Sequence, residues 1–163
     1  MKWFLLVGTL VMCINTSALA EWKYLERTDR LTDEISHMAW VLPEGETIGI
    51  LGPKYSKILT VLCTAAAIPV VVVALPVIYS STGAASVTYR FDKEIAKKQE
   101  WAISRSNGFA VTVDRAVNFI KGLQRANTLV LRYSAVSATE TFQFDLAGFS
   151  TAAQPLLSAC NIK

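Results

Sequence analysis

Between Lys57 and Arg90 the chain carries no charged side chain, and the stretch that begins at Ile58 and ends at Ile78 is almost wholly apolar. At 21 residues it has the length of a bilayer-spanning helix. Its chemistry points elsewhere. Pro69 and Pro76 interrupt it, and residues 70–73 are four consecutive valines. β-branched side chains pack well on a pleated sheet, and proline sits at strand ends rather than inside strands. The run therefore reads as two buried strands, residues 58–64 and 68–75. A membrane-spanning helix is the alternative, because lipid-buried helices tolerate proline. Basic residues lie beyond both ends, so charge orients such a span only weakly.

The first 20 residues have the form of a secretion signal. Lys2 precedes an apolar segment from Trp3 to Ile14, and Ala18-Leu19-Ala20 fits the small-x-small cleavage rule. Cleavage after Ala20 is expected, and Cys13 is lost with the leader; an uncleaved anchor is the alternative. Of 163 residues, 143 then remain, and removal of Lys2 leaves 15 basic against 13 acidic residues, a net charge of +2. This is the size of one domain, here 21–163, and the charge balance does not describe a nucleic-acid binder. Cys63 and Cys160 survive cleavage. In an oxidising compartment such a pair reads as a disulfide, with two separate buried thiols as the alternative.

The rest of the chain suggests an α+β fold: a mostly antiparallel sheet or sandwich with two helices in its C-terminal half. Residues 21–36 read as a polar arm with a short helical turn. Strands are expected over 37–42, 47–51, 86–91, 101–104, 109–113, 128–133 and 141–146, with 92–99 as a charged connection. Asp114 is a good N-cap for a helix whose face carries Val117, Ile120 and Leu123. Phe149, Ala153, Leu156, Leu157 and Cys160 fall on one face of a terminal helix, with Pro155 placed to delay or kink it. That helix carries Cys160 towards the strand bearing Cys63.

Catalytic chemistry is sparse. His37 is the single histidine, and a half-buried strand residue is its plain reading. One histidine and two paired cysteines do not make a metal site, and no cofactor is implied. Gly45, Gly49, Gly52 and Lys54 do not make a phosphate loop, since Pro53 precedes the lysine and Tyr55 follows it. Glu94, Glu100, Glu140 and Asp145 could meet only through folding. The chain is not expected to be an enzyme. Trp22, Tyr24 and Trp40 are the candidate partner surface, because aromatic residues are enriched in interface cores. Arg90 and Asp92, flanking Phe91, are expected to share a strand face and join that surface as candidates.

Residues 87–92 (Val-Thr-Tyr-Arg-Phe-Asp), Trp101, 118–123 (Asn-Phe-Ile-Lys-Gly-Leu), 129–133 (Leu-Val-Leu-Arg-Tyr), 141–148 (Thr-Phe-Gln-Phe-Asp-Leu-Ala-Gly) and Ala159-Cys160 resemble the VasI/TagO family of bacterial type VI secretion-associated accessory proteins. The chain departs from that pattern at Leu62, where a polar or basic residue is usual, and at Ile162, where tryptophan is usual. The resemblance implies a non-catalytic periplasmic accessory protein acting by contact with a protein partner in the bacterial envelope. Two other readings stand beside it. One is an inhibitor of an exported lysozyme-type hydrolase, inserting loops 80–85 or 104–108. The other is a phage or prophage envelope protein anchored through the run from Ile58 to Ile78.

Overall fold

The structure, a computed structural model, describes residues 21–46, 57–74, 83–104, 108–110, 113–134 and 139–163. The apolar run folds as a hairpin of β3 (Ile58–Cys63) and β4 (Pro69–Ala74). Leu59, Val61, Cys63, Val71 and Val73 alternate into the core and are fully buried. Pro69 opens β4, where a missing N–H is tolerated. A single membrane-spanning helix over this run is thereby overturned, although residues 75–78 lie outside the described ones. No helix among the described residues is long and apolar enough to cross a membrane.

The N-terminal arm is also corrected. Residues 23–28 form β1 (Lys23–Thr28), paired in register with β2 (Ile35–Val41). Between them the Asp29 carboxylate accepts hydrogen bonds from the amides of Leu31 and Thr32 at 2.8 and 3.2 Å, an aspartate-stabilised turn rather than a helical one. β5 (Ala84–Phe91) covers the expected 86–91 and begins two residues early, and β6 (Lys97–Ser104) begins four residues early. Its leading charges do not break the strand, because Lys98 and Glu100 point to solvent while Trp101 is buried. β7 (Gly108–Ala110), α1 (Val113–Arg125), β8 (Thr128–Ser134) and β9 (Thr139–Asp145) follow. The terminal helix divides into α2 (Phe149–Ala152) and α3 (Gln154–Ala159), with Pro155 in the first turn of α3 where its ring is tolerated. All five residues of the expected apolar face stay buried. The expected strand over 47–51 lies outside the described residues.

The strands form one antiparallel order, β1-β2-β3-β4-β7-β6-β5-β8-β9. With the helices in the C-terminal half, the expected mostly antiparallel α+β class holds. At the far edge the Glu44 amide donates to the Gln143 carbonyl at 2.9 Å. Lys57 Nζ lies 3.1 Å from Glu46 and 3.4 Å from Glu140. Burial pushes the Lys57 ammonium pKa down, but the two carboxylates outweigh it and the net shift is upward. The helices pack on the core side of the sheet. Phe119 of α1 packs on Tyr89, Phe91 and Trp101 at ring distances of 5.0, 5.2 and 5.4 Å. α3 packs on β2 and β3, and Cys160, just after it, bonds Cys63 with a Cα separation of 5.8 Å.

Two consequences are measurable. The bond closes a sequence separation of 97 residues, for which chain entropy predicts roughly 4–5 kcal/mol. A Cys63→Ser/Cys160→Ser double variant is expected to lose about that much in urea unfolding. Gly122 lies inside α1, and a Cβ there would stand 2.3 Å from the Phe91 ring. Gly122→Ala is therefore expected to cost about 1–3 kcal/mol despite better helix propensity. The loss should shrink in a Phe91→Leu background, where the obstructing ring is gone.

Candidate functional site

The strand register separates the aromatic residues that the sequence grouped. Trp22 is 7% exposed and packs on Phe149 at a ring distance of 4.6 Å. It belongs to the core and is removed from the candidate surface. Tyr24 stands opposite Ala39 on the core side of β1–β2, whereas Trp40 stands opposite Lys23 on the other side. The two cannot form one patch, because neighbouring strand residues face opposite ways. The Tyr24 hydroxyl lies 2.8 Å from His37 Nδ1 and 3.5 Å from Glu26 Oε2. Burial, then the Glu26 carboxylate, raises its pKa. His37 is half-buried on β2, as the plain reading expected. Trp40 is half-buried beneath the Lys23 ammonium, 5.5 Å from its ring centroid.

Arg90 and Asp92 are likewise parted. Arg90 is exposed on the outer face of β5 beside Thr88, Val130 and Arg132. Asp92 lies beyond the strand end with φ of 46°, a left-handed conformation that aspartate tolerates better than most residues. Its carboxylate accepts from the amides of Asn127 and Thr128 at 2.9 and 2.8 Å and from the Thr128 hydroxyl at 3.2 Å. It therefore fastens the α1–β8 junction to the β5–β6 turn. The other acids stay apart: Glu140 meets Lys57, Glu94 meets Lys97 at 3.7 Å, and Asp145 accepts from the Ala147 amide at 2.8 Å. No group of three potential metal ligands occurs among the described residues. Residues 80–82 and 105–107, the centres of the two loops considered for insertion, lie outside them.

A cleft of about 510 Å³ opens between α1 and the β5–β6 end of the sheet. Tyr89, Phe91 and Phe119 line its floor, with Gln99, Asn118 and Gly122 on its walls. Its charged lining is Arg115 and Arg125, the paired Lys97 and Glu94, and Asp92, whose carboxylate is held by backbone amides. Burial raises the Tyr89 pKa, opposed by a hydrogen bond to Gln99 and by the nearby Arg115 charge. Sequence reading missed this site because its walls are remote in sequence. The glycine within α1 was the available signal, since it lets the helix lie against Phe91. The arrangement can hold an anionic group above an aromatic floor.

No protein-family model matches this chain, and no curated protein matches it. Among solved structures it is similar to the crystal structure of invasion associated protein B from Bartonella henselae. The identity is 14% and the TM-score 0.54, over 87% of this chain and 95% of that one. At that identity the likeness shows a shared fold, and it does not bear on VasI/TagO proteins specifically.

Hydrogen bonds from the Thr128 and Asn127 amides hold the Asp92 carboxyl below the usual carboxylate range, outweighing the smaller opposing effect of desolvation. A depressed acid pKa stabilises the fold fully above the unfolded value of about 4 and loses that contribution as pH falls through the folded value. Melting temperatures of wild type and Asp92→Asn between pH 7 and pH 2 should therefore converge on acidification, with the wild type higher at pH 7. A gap that stays constant with pH would exclude this role.

Proposed function

We propose that this chain is an exported, non-catalytic binding protein of the bacterial envelope that acts by contact with a protein partner. The observation that carries this reading is the α1 cleft. Arg115 and Arg125 flank an aromatic floor, Lys97 and Glu94 pair with each other at 3.7 Å, and the Asp92 carboxylate is held by backbone amides. Such a cleft suits an acidic partner segment bearing an apolar or aromatic side chain. A disulfide-closed frame limits the entropy lost on docking. The disulfide also supports export, since such bonds persist in oxidising compartments. The residues shared with VasI/TagO proteins point to an accessory role in type VI secretion.

Photo-crosslinking tests the reading directly. Benzoylphenylalanine at Asn118, an exposed position on the cleft wall, should give one discrete envelope-protein adduct in the native host. Lys97→Glu/Arg125→Glu should abolish it. An absent adduct, or one indifferent to charge reversal, would overturn the proposal. A secretion-apparatus component as the trapped partner would support the accessory role, and a cell-wall hydrolase would replace it with the inhibitor reading.

A further inference from the structure

Arg90 takes no part in the α1 cleft. It stands on the opposite face of the sheet, where β6, β5, β8 and β9 set three cross-strand rows side by side. These are Glu100–Ser86–Ser134–Thr139, Lys98–Thr88–Arg132–Thr141 and Arg90–Val130–Gln143. A shallow hollow of about 270 Å³ lies among them, with Thr88, Val130 and Thr141 in its lining. The charged residues that line it are Arg90 and Arg132. Arg132 stands directly opposite Thr88, and Arg90, two residues along β5, is its diagonal neighbour, which places the two Cβ atoms roughly 7 Å apart.

Neither guanidinium has an acid partner among the described residues. Arg132 Nε donates to the Thr141 hydroxyl at 3.1 Å, which orients the group and leaves its terminal nitrogens for another acceptor. The acids of this face and its rim stand outside the hollow. Glu100 lies a row beyond, opposite Ser86. Asp145, opposite Thr128, accepts from the Ala147 amide. Glu44 receives the Gln143 side-chain nitrogen on both oxygens, at 2.9 and 3.0 Å. Asp92 and Glu94 are engaged by backbone amides and by Lys97. Lys98, opposite Thr88, adds a third cation beside the pair. Like charges adjacent on one sheet face repel, and no acid in the hollow offsets them.

We infer that this hollow binds a phosphate monoester carried on a sugar. Two arginines match the charge of a monoester, about −1.5 to −2 at neutral pH. Geometry favours phosphate over carboxylate. One arginine fork satisfies both oxygens of a carboxylate, whereas the three terminal oxygens of a phosphate can meet two forks and the Thr88 hydroxyl together. Ser86, Ser134, Thr139 and Gln143 border the hollow with neutral donors and acceptors, the groups that sugar hydroxyls pair with. The three rows carry no aromatic residue, so the apolar side chains of a phosphorylated peptide would find only Val130 to pack on. The cleft lies on the other face of the sheet, so this inference stands apart from the proposed protein contact.

Titration of the isotope-labelled protein with glucose 6-phosphate, followed by amide NMR shifts, tests it. Saturable shifts are expected at Thr88, Arg90, Arg132 and Thr141, with none for glucose and weaker ones for inorganic phosphate. Arg90→Gln/Arg132→Gln, at two exposed positions, should weaken binding roughly tenfold or more while the rest of the spectrum keeps its wild-type pattern. Affinity should rise several-fold from about pH 5 to about pH 7.5, because a monoester gains its second charge near pH 6. No saturable shift, a shift centred on the α1 cleft, an affinity indifferent to pH, or a double variant that binds as the wild type does would each overturn the inference. So would glucuronate or inorganic phosphate binding as well as glucose 6-phosphate. Capture by phosphatidic acid vesicles without a response to glucose 6-phosphate would assign the phosphate to a lipid and overturn the sugar.

Discussion

The bond between Cys63 and Cys160 sets how the C-terminal helices meet the sheet. Cys63 faces the core because β3 alternates, and Cys160 faces it because it continues the apolar face of α2 and α3. Phe149, Leu156 and Leu157 are therefore held against β2 and β3, and Trp22 closes over Phe149. Ile162, two residues beyond the bond, is also buried.

Much of this architecture was legible in the chain. Valines 70–73 and the two prolines excluded an easy helix, and β3 and β4 formed where they were expected. β5, β8 and β9 were visible because their inward positions are large and their outward ones polar. β1 was not visible. Its residues are mostly exposed, so its strand form depends on register with β2 rather than on its own alternation, and tertiary pairing overrides weak local preference. β6 was read short for a related reason. Charges on its solvent face resemble those of a loop when the partner strand is unknown. The terminal helix kept its periodicity but broke at Ala153, where the proline two residues on favours a fresh first turn.

The site was less legible, for reasons of geometry. Trp22, Tyr24 and Trp40 are close in kind but divided by the two-residue period of the strands, so one is core, one is engaged with His37 and one faces outward. Asp92 was expected to share a strand face with Arg90. The strand ends at Phe91, and the turn redirects the carboxylate to amides 35 and 36 residues away. The cleft joins β5, β6 and α1, and no local pattern announces it. The glycine at 122 is the place where the helix makes room for an aromatic ring.

The two halves of the sheet differ in what they offer to the outside. Around β5, β8 and β9 the outer face is hydroxyl- and arginine-rich, and the charged cleft opens at its end. Around β1–β4 the same position in the pleat is occupied by Leu25, Met38, Leu62, Val70 and Val72. The core needs apolar residues on one side of β3 and β4 only. That they are apolar on both explains why no charge occurs from Ile58 to the end of β4. It also explains why the run resembled a membrane span: its second apolar set has no counterpart in the core. Of these outer residues Leu25 is exposed, while Met38, Leu62, Val70 and Val72 are half-buried among their cross-strand neighbours.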